Sequence, residues 1–166
     1  MYDVYRRSYA NVHRGAYALS QAATDYYEGA RKTVARYLNA RSDDEIVFTH
    51  NVTAAINLVA HSYGRRFMER GDEVIISQME HHANIVPWQL LRDEIGIELK
   101  VAPIDEAGNL LLDQLAEMFS HKTKLVSLTH VSNVLGTIVP IKKVIDLAHE
   151  RDIPVLIDGA QGIVHT

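Results

Sequence analysis

The 166 residues predict an α/β fold, a largely parallel sheet covered by helices. Two observations carry that expectation. Short apolar runs alternate with stretches of helical periodicity from residue 20 to the end. The runs are also continuously apolar, as in Val74-Ile75-Ile76 and Ile153-Pro154-Val155-Leu156-Ile157. Strands buried on both faces read this way, whereas half-exposed strands alternate.

Taken in order, residues 20–38 predict a first helix, with Ser20 as its cap and Ala22, Ala23, Tyr26, Tyr27, Ala30, Val34 and Leu38 at helical spacing. A short strand is expected at 46–49, Ile-Val-Phe-Thr. A helix follows from Thr53, carrying Ile56, Leu58, Val59 and Tyr63 and closed off by Gly71. Strand 73–77 then precedes a helix over 84–95. Strand 98–103, helix 112–119, strand 124–129, a helix started by Pro140 and a final strand ending at Asp158 complete the alternation. No repeat, low-complexity tract or linker interrupts it.

Composition narrows the function classes. A hydrophobic share of 47% with 23% charged residues is ordinary globular material, enough for one domain with a core. The formal charge of −4, with no Lys/Arg block, argues against nucleic acid or an anionic membrane as partner. No apolar run has the length of a membrane span, and the opening Met-Tyr-Asp-Val-Tyr-Arg-Arg lacks the pattern of a signal peptide. With 0 cysteines, disulfides, thiolate zinc sites and a Cys nucleophile are excluded from these residues. A cytoplasmic location is expected.

Four segments at strand ends carry polar residues, where open α/β sheets place ligand chemistry. In His50-Asn51-Val52-Thr53, the N–H groups and dipole of a helix N-terminus favour a phosphate, and Thr53 adds a hydroxyl; alternatively, Asn51 or Thr53 only caps the helix. In Glu80-His81-His82-Ala83-Asn84, neighbouring histidines point different ways and no HExxH pattern occurs, so a metal is not expected. An imidazole there can stack on a planar ring or move a proton near neutral pH, or the pair can be surface caps. His130-Val131-Ser132-Asn133 offers several donors to one ligand, with Asn133 suited to a negative oxygen; plain turn chemistry is the alternative. In Asp158-Gly159-Ala160-Gln161, a half-buried carboxylate requires a cation partner. A protonated pyridine nitrogen is one, as in pyridoxal phosphate sites, and a capping Asp is the alternative.

The stretches YANVHRGAYALSQAATDYYEGAR, GDEVIISQMEHHANIVPWQ, LTHVSNVLGTIVP and PVLIDGAQ resemble the group II (Suf-type) cysteine desulfurases, together with their selenocysteine lyase-like members. These belong to the class V aminotransferase family of fold type I pyridoxal phosphate enzymes. The resemblance runs through essentially the whole chain in order. EHHANIVPW with THVSNVLGT is its specific part, since group I desulfurases differ in both places; DGAQ alone is weak.

The resemblance implies pyridoxal 5'-phosphate as cofactor and assigns roles to residues present here. His81 matches the histidine stacked on the pyridine ring and moving protons on the substrate. Asp158 matches the partner of the ring nitrogen, Gln161 the donor to the phenolic oxygen, and Asn133 a contact to cofactor or substrate carboxylate. Thr53 and the Val52 backbone match the phosphate cup, and His13 a residue near the substrate entrance. Where this chain has Val52 the family often has Thr, so one hydroxyl is lost there while the N–H remains.

The resemblance further implies that residues 1–166 are a partial large domain of a fold type I transferase. The family's opening segment, the Ser-Gly-His-Lys segment with the Schiff-base Lys, and a small C-terminal domain with an Arg and a sulfur-accepting Cys are not among them. The parent enzyme implied is a homodimer that converts L-cysteine (or L-selenocysteine) to L-alanine and passes sulfur to an acceptor protein for iron–sulfur cluster assembly. The 166 residues alone are expected to be inactive. The rival readings are another class V enzyme, such as an aminotransferase or kynureninase-like hydrolase, and a non-catalytic phosphate- or nucleotide-binding α/β module. The last is disfavoured because neither GxGxxG nor GxxxxGK[ST] occurs.

Overall fold

A computed structural model describes residues 2–165. The chain divides into two units, the first ending at Phe48 and the second starting at Thr49.

The first unit holds helices α1 (Tyr2–Arg7) and α2 (Ala18–Tyr37) and a 3-10 turn at Asp43–Glu45. Helix α2 buries Ser20, Ala23 and Ala35 along one side. Ser20 is not its cap. Tyr17 stands at the N-cap in extended conformation, and Ser20 lies inside the first turn, where its hydroxyl donates to the Asn11 carbonyl at 2.7 Å. The strand expected at 46–49 does not form. An extended run becomes a strand only when neighbours take its N–H and C=O groups. Here the Ile46 carbonyl accepts from the Arg31 guanidinium, which lies 5.1 Å from the Tyr27 ring centre and 5.3 Å from that of Phe48.

The second unit is built on four parallel strands, β1 (Glu73–Ser77), β2 (Glu98–Ala102), β3 (Thr123–Thr129) and β4 (Val155–Asp158), in the order β2-β1-β3-β4. The central strands β1 and β3 are buried almost throughout, which is why they read as unbroken apolar runs. Successive side chains still alternate between faces. Ile75, Val126 and Leu128 join Leu115, Val144 and Ala148 in one core. Val74, Ile76 and Leu125 join Ile56, Trp88 and Leu91 in the other. The sheet is covered on both faces.

The covering helices are α3 (Val52–Val59), α4 (Arg65–Phe67), α5 (Val86–Ile95), α6 (Leu112–Met118), α7 (Ile141–His149) and α8 (Gly162–His165). The helix expected from Thr53 starts one residue earlier, passes through a π-helical turn at Ala60–Gly64 and ends at Phe67, short of Gly71. Helix 84–95 resolves into a 3-10 turn, His82–Asn84, followed by α5. Gly96 ends α5 in left-handed conformation at φ 83°, which glycine adopts without strain.

The two ends of the sheet differ in chemistry. At the N-terminal end of β1, buried Glu73 accepts from Lys100 Nζ (2.8 Å), Ser120 Oγ (2.6 Å) and Thr123 Oγ1 (2.9 Å). The C-terminal ends of β1, β3 and β4 carry Ser77, Thr129 and Asp158. Among the described residues no helix is long and apolar enough to cross a membrane, and no group of three or more His, Asp or Glu could hold a metal ion.

Candidate active site

Parallel strands deliver their C-terminal ends to one edge of the sheet, and the loops that leave them make the crevice. A cavity of about 170 Å³ lies there. Val52, His81 and Asn133 contribute to its walls, and Asp158, Ala160 and Gln161 come from the turn after β4. Thr129 and Val131 complete the lining.

Each element places its residue for a local reason. Asn51 caps α3, its side-chain oxygen accepting from Ala54 N at 2.8 Å. That leaves the first-turn N–H groups of Val52 and Thr53 with no intrahelical acceptor. Of the two readings of this segment, an anion site at the helix N–H groups or a cap by Asn51 or Thr53, the Asn51 cap is made, and the two N–H groups stand beside it. Thr53 itself does not line the cavity; its side chain is on an exposed residue and its carbonyl accepts from Asn57.

His81 opens the 3-10 turn. Its Nδ1 accepts from Ala83 N at 3.1 Å, so the ring is tethered on one nitrogen, and among the described residues Nε2 has no hydrogen-bond partner. His82 is exposed and takes no part in the lining; the two rings lie 6.1 Å apart at 78°. Capping and cavity lining are therefore combined in one residue, His81.

Asp158 is 5% exposed and ends β4 opposite Thr129 in the register. Its Oδ1 accepts from Ala160 N at 3.0 Å, folding the turn that brings Gln161 to the cavity. Among the described residues Asp158 makes no ion pair. A buried carboxylate facing a cavity without a protein cation is a place for a cationic ligand atom. Behind it, Gly162 packs on His130 so closely that an added Cβ would collide with the imidazole.

His13 belongs to the first unit. Its Nε2 lies 2.9 Å from Glu28 Oε1, its N–H donates to Thr24 Oγ1 at 3.0 Å, and its backbone is left-handed at φ 61°.

Sequence reasoning passed over Glu80 and Asn84. Both are buried; Asn84 closes the turn that His81 opens, and Glu80, just before it, accepts from Asn84 Nδ2 and Thr129 N. Burial pushes the Glu80 carboxyl above the usual glutamate range, against the hydrogen bonds from Ser77, Asn84 and Thr129 that favour its charge. The signal in the sequence is a carboxylate three residues beyond the end of an apolar strand, with an amide four residues further on.

With a helix N-terminus, an imidazole and a buried carboxylate around a crevice at the strand ends, the chain is an α/β protein built on an open parallel sheet covered by helices. The chain matches the profile "Aminotransferase class-V" over residues 1–166 and belongs to that family. It is 52% identical over 161 residues to a "Probable cysteine desulfurase" of Mycolicibacterium paratuberculosis, covering 97% of this chain and 24% of that protein. It is 50% identical over 163 residues to the "Cysteine desulfurase" of Escherichia coli K12, covering 98% of this chain and 40% of the other. The apo cysteine desulfurase from Thermococcus onnurineus superposes with a TM-score of 0.93 at 38% identity, covering 99% of this chain and 40% of that one. A structure of SspA in complex with cysteine superposes at 0.87 with 29% identity, covering 96% and 45%. The chain thus spans a quarter to two-fifths of the length of these curated relatives.

Proposed function

We propose that these residues form part of the cofactor-binding large domain of a pyridoxal 5'-phosphate-dependent cysteine desulfurase. The observation that carries the reading is Asp158, a buried carboxylate without a protein cation on the wall of a cavity that also holds an imidazole, an amide and a helix N-terminus. Those groups suit the cofactor part by part. The N–H groups of Val52 and Thr53 suit its phosphate. Asp158 suits a protonated ring nitrogen, His81 a ring face, and Asn133 and Gln161 its ring oxygen and the substrate carboxylate. The family membership and the names of the relatives support the same cofactor and L-cysteine as substrate.

When bound, the cofactor supplies an electron sink for the bond-breaking at the substrate Cα. The protein groups then have separate tasks. Asp158 keeps the ring nitrogen protonated, which maintains that sink. His81 covers the ring, excludes water from it and can hold or release a proton at Nε2. Gln161 and Asn133 orient oxygens by donated hydrogen bonds. The nucleophile that takes sulfur is not among these residues, which contain 0 cysteines, and no lysine lines the cavity. The complete catalyst would release alanine from L-cysteine (or L-selenocysteine), work as a homodimer in the cytosol and hand sulfur to an acceptor protein. His13 would stand near its substrate entrance.

The experiment is a stoichiometric assay of alanine and sulfide from L-cysteine, using a protein of the relatives' length that carries these residues. Wild type should give equal amounts of both. Asp158→Ala should lower turnover by two orders of magnitude or more, about 2.7 kcal/mol at the barrier, while retaining its circular dichroism. Near-wild-type turnover in that variant would remove Asp158 from the assigned role. A keto-acid product in place of alanine would point to an aminotransferase.

A further inference from the structure

A buried carboxyl group adjoins the cavity without lining it. Glu80 Oε1 accepts from Thr129 N at 3.1 Å and from Ser77 Oγ; its Oε2 accepts from Asn84 Nδ2 at 2.8 Å. Asn84, 0% exposed, turns its Oδ1 to Trp88 Nε1 (3.0 Å) and Ser127 Oγ (2.5 Å). An indole N–H can only donate. Trp88 therefore fixes which end of the Asn84 amide faces it, and the amide nitrogen is left facing Glu80. Glu80 must accept there. Two donor-only groups, Trp88 Nε1 at one end and Thr129 N at the other, set the polarity of the chain of bonds.

This network ties together the parts that make the cavity. Glu80 is the residue before His81. Thr129, held through its N–H, lines the cavity and pairs with Asp158 in the β3–β4 register, and the neighbouring His130 N donates to the Asp158 carbonyl at 2.9 Å. Asn84 lies in the same turn whose Ala83 N–H holds His81 Nδ1. A ring whose Nδ1 accepts carries its proton on Nε2 when neutral.

We infer that Glu80 is a positioning residue: through Asn84 and Thr129 it holds the His81 ring in one orientation and one tautomer at the cavity. Its effect on ligand affinity rests on the cofactor reading above; its effect on the ring does not.

Ring-nitrogen NMR on the histidine-labelled chain reads the tautomer without any ligand, with His81→Ala identifying the signal. Wild type should show distinct Nδ1 and Nε2 resonances, with Nδ1 as the unprotonated nitrogen. In Glu80→Gln a donor faces the Asn84 amide nitrogen, and the two resonances should move toward a common average. Pyridoxal phosphate should bind about tenfold more weakly to this variant, the low end of what outer partners of a ligating histidine are worth. Combining Glu80→Gln with Asn84→Asp exchanges donor and acceptor between the two positions, leaves an acceptor for Trp88 and should restore both readouts. In a His81→Ala background, Glu80→Gln should leave the affinity unchanged. If Glu80→Gln alone does not fold, the double variant and Ser127→Ala carry the test, the latter with a smaller movement of the same resonances.

Unchanged ring signals in the folded variants, or an affinity loss that persists without His81, would overturn the proposal and leave Glu80 as structural support. Ring signals that move as described, in a chain that binds no pyridoxal phosphate, would uphold the positioning role and contradict the cofactor reading.

Discussion

Neighbouring histidines with different duties are the most local consequence of this structure. Both are exposed, but His81 is tethered through Nδ1 to Ala83 N and lines the cavity, whereas His82 is not in the lining. His81→Ala is expected to weaken pyridoxal phosphate binding by about tenfold or more through the lost ring contact, roughly 1.4 kcal/mol. His82→Ala should stay within about twofold. Equilibrium dialysis on both variants checks this, and a larger loss in His82→Ala would reverse the assignment. Half of the cavity lining could be read from the chain because His81, Asn133, Asp158 and Gln161 are polar residues where an apolar strand stops. Thr53 was expected to contribute a hydroxyl, but its side chain is not in the lining. Glu80 escaped notice because its partners, Ser77 and Thr129, come from two different strands. Nothing local in a sequence states that two strand ends will meet over one carboxylate.

Strand β1 shows how one element serves both ends of the sheet. Glu73 at its start and Glu80 just beyond its end are both buried carboxyls, shifted in opposite directions. Burial alone would raise Glu73, but hydrogen bonds from Lys100, Ser120 and Thr123 and the Lys100 charge outweigh it and hold the group below the usual glutamate range. A carboxyl with a lowered folded pKa stabilises the fold above its unfolded pKa, and that contribution disappears as pH falls through the lowered value. Glu73→Gln should therefore cost more stability at pH 7 than at about pH 3.5, below the ordinary glutamate value of about 4.3. Urea midpoints of both proteins at the two pH values measure the difference, and an equal gap would contradict the ion-pair account. Glu80, raised by burial, has the opposite sign: its contribution is present at low pH and is lost as pH rises through its raised value. Ionising this buried carboxyl is thus costly in stability, as is common where a site is preorganised. Strands were legible because β1 and β3 are buried on both faces. Residues 46–49 have the same apolar character but no strand beside them, and the carbonyl of Ile46 goes to Arg31 instead. Ser20 has a capping side chain, yet its hydroxyl is used on Asn11 from inside the helix.

At the scale of the molecule, the sheet separates support from chemistry. The Glu73 network closes the N-terminal end of the strands, and the cavity opens at the C-terminal end, so the two can be altered independently. That polarity follows from parallel strands, and the alternation of helix and strand in the sequence makes it legible there. The division after Phe48 was not readable, because no change in composition or run of linker residues marks it. On the reading proposed above, the cavity at the strand ends takes pyridoxal phosphate, with Asp158 as the partner of its ring nitrogen. Titrating the chain with pyridoxal 5'-phosphate, ATP and NAD, alongside Asp158→Asn, tests this most directly. The substitution keeps the shape and the oxygen that accepts from Ala160 N but removes the charge. The account predicts saturable binding of one pyridoxal phosphate per chain, weakened about tenfold in Asp158→Asn, with ATP and NAD failing to compete. Competition by ATP or NAD at equal concentration, or an unchanged affinity in Asp158→Asn, would contradict it.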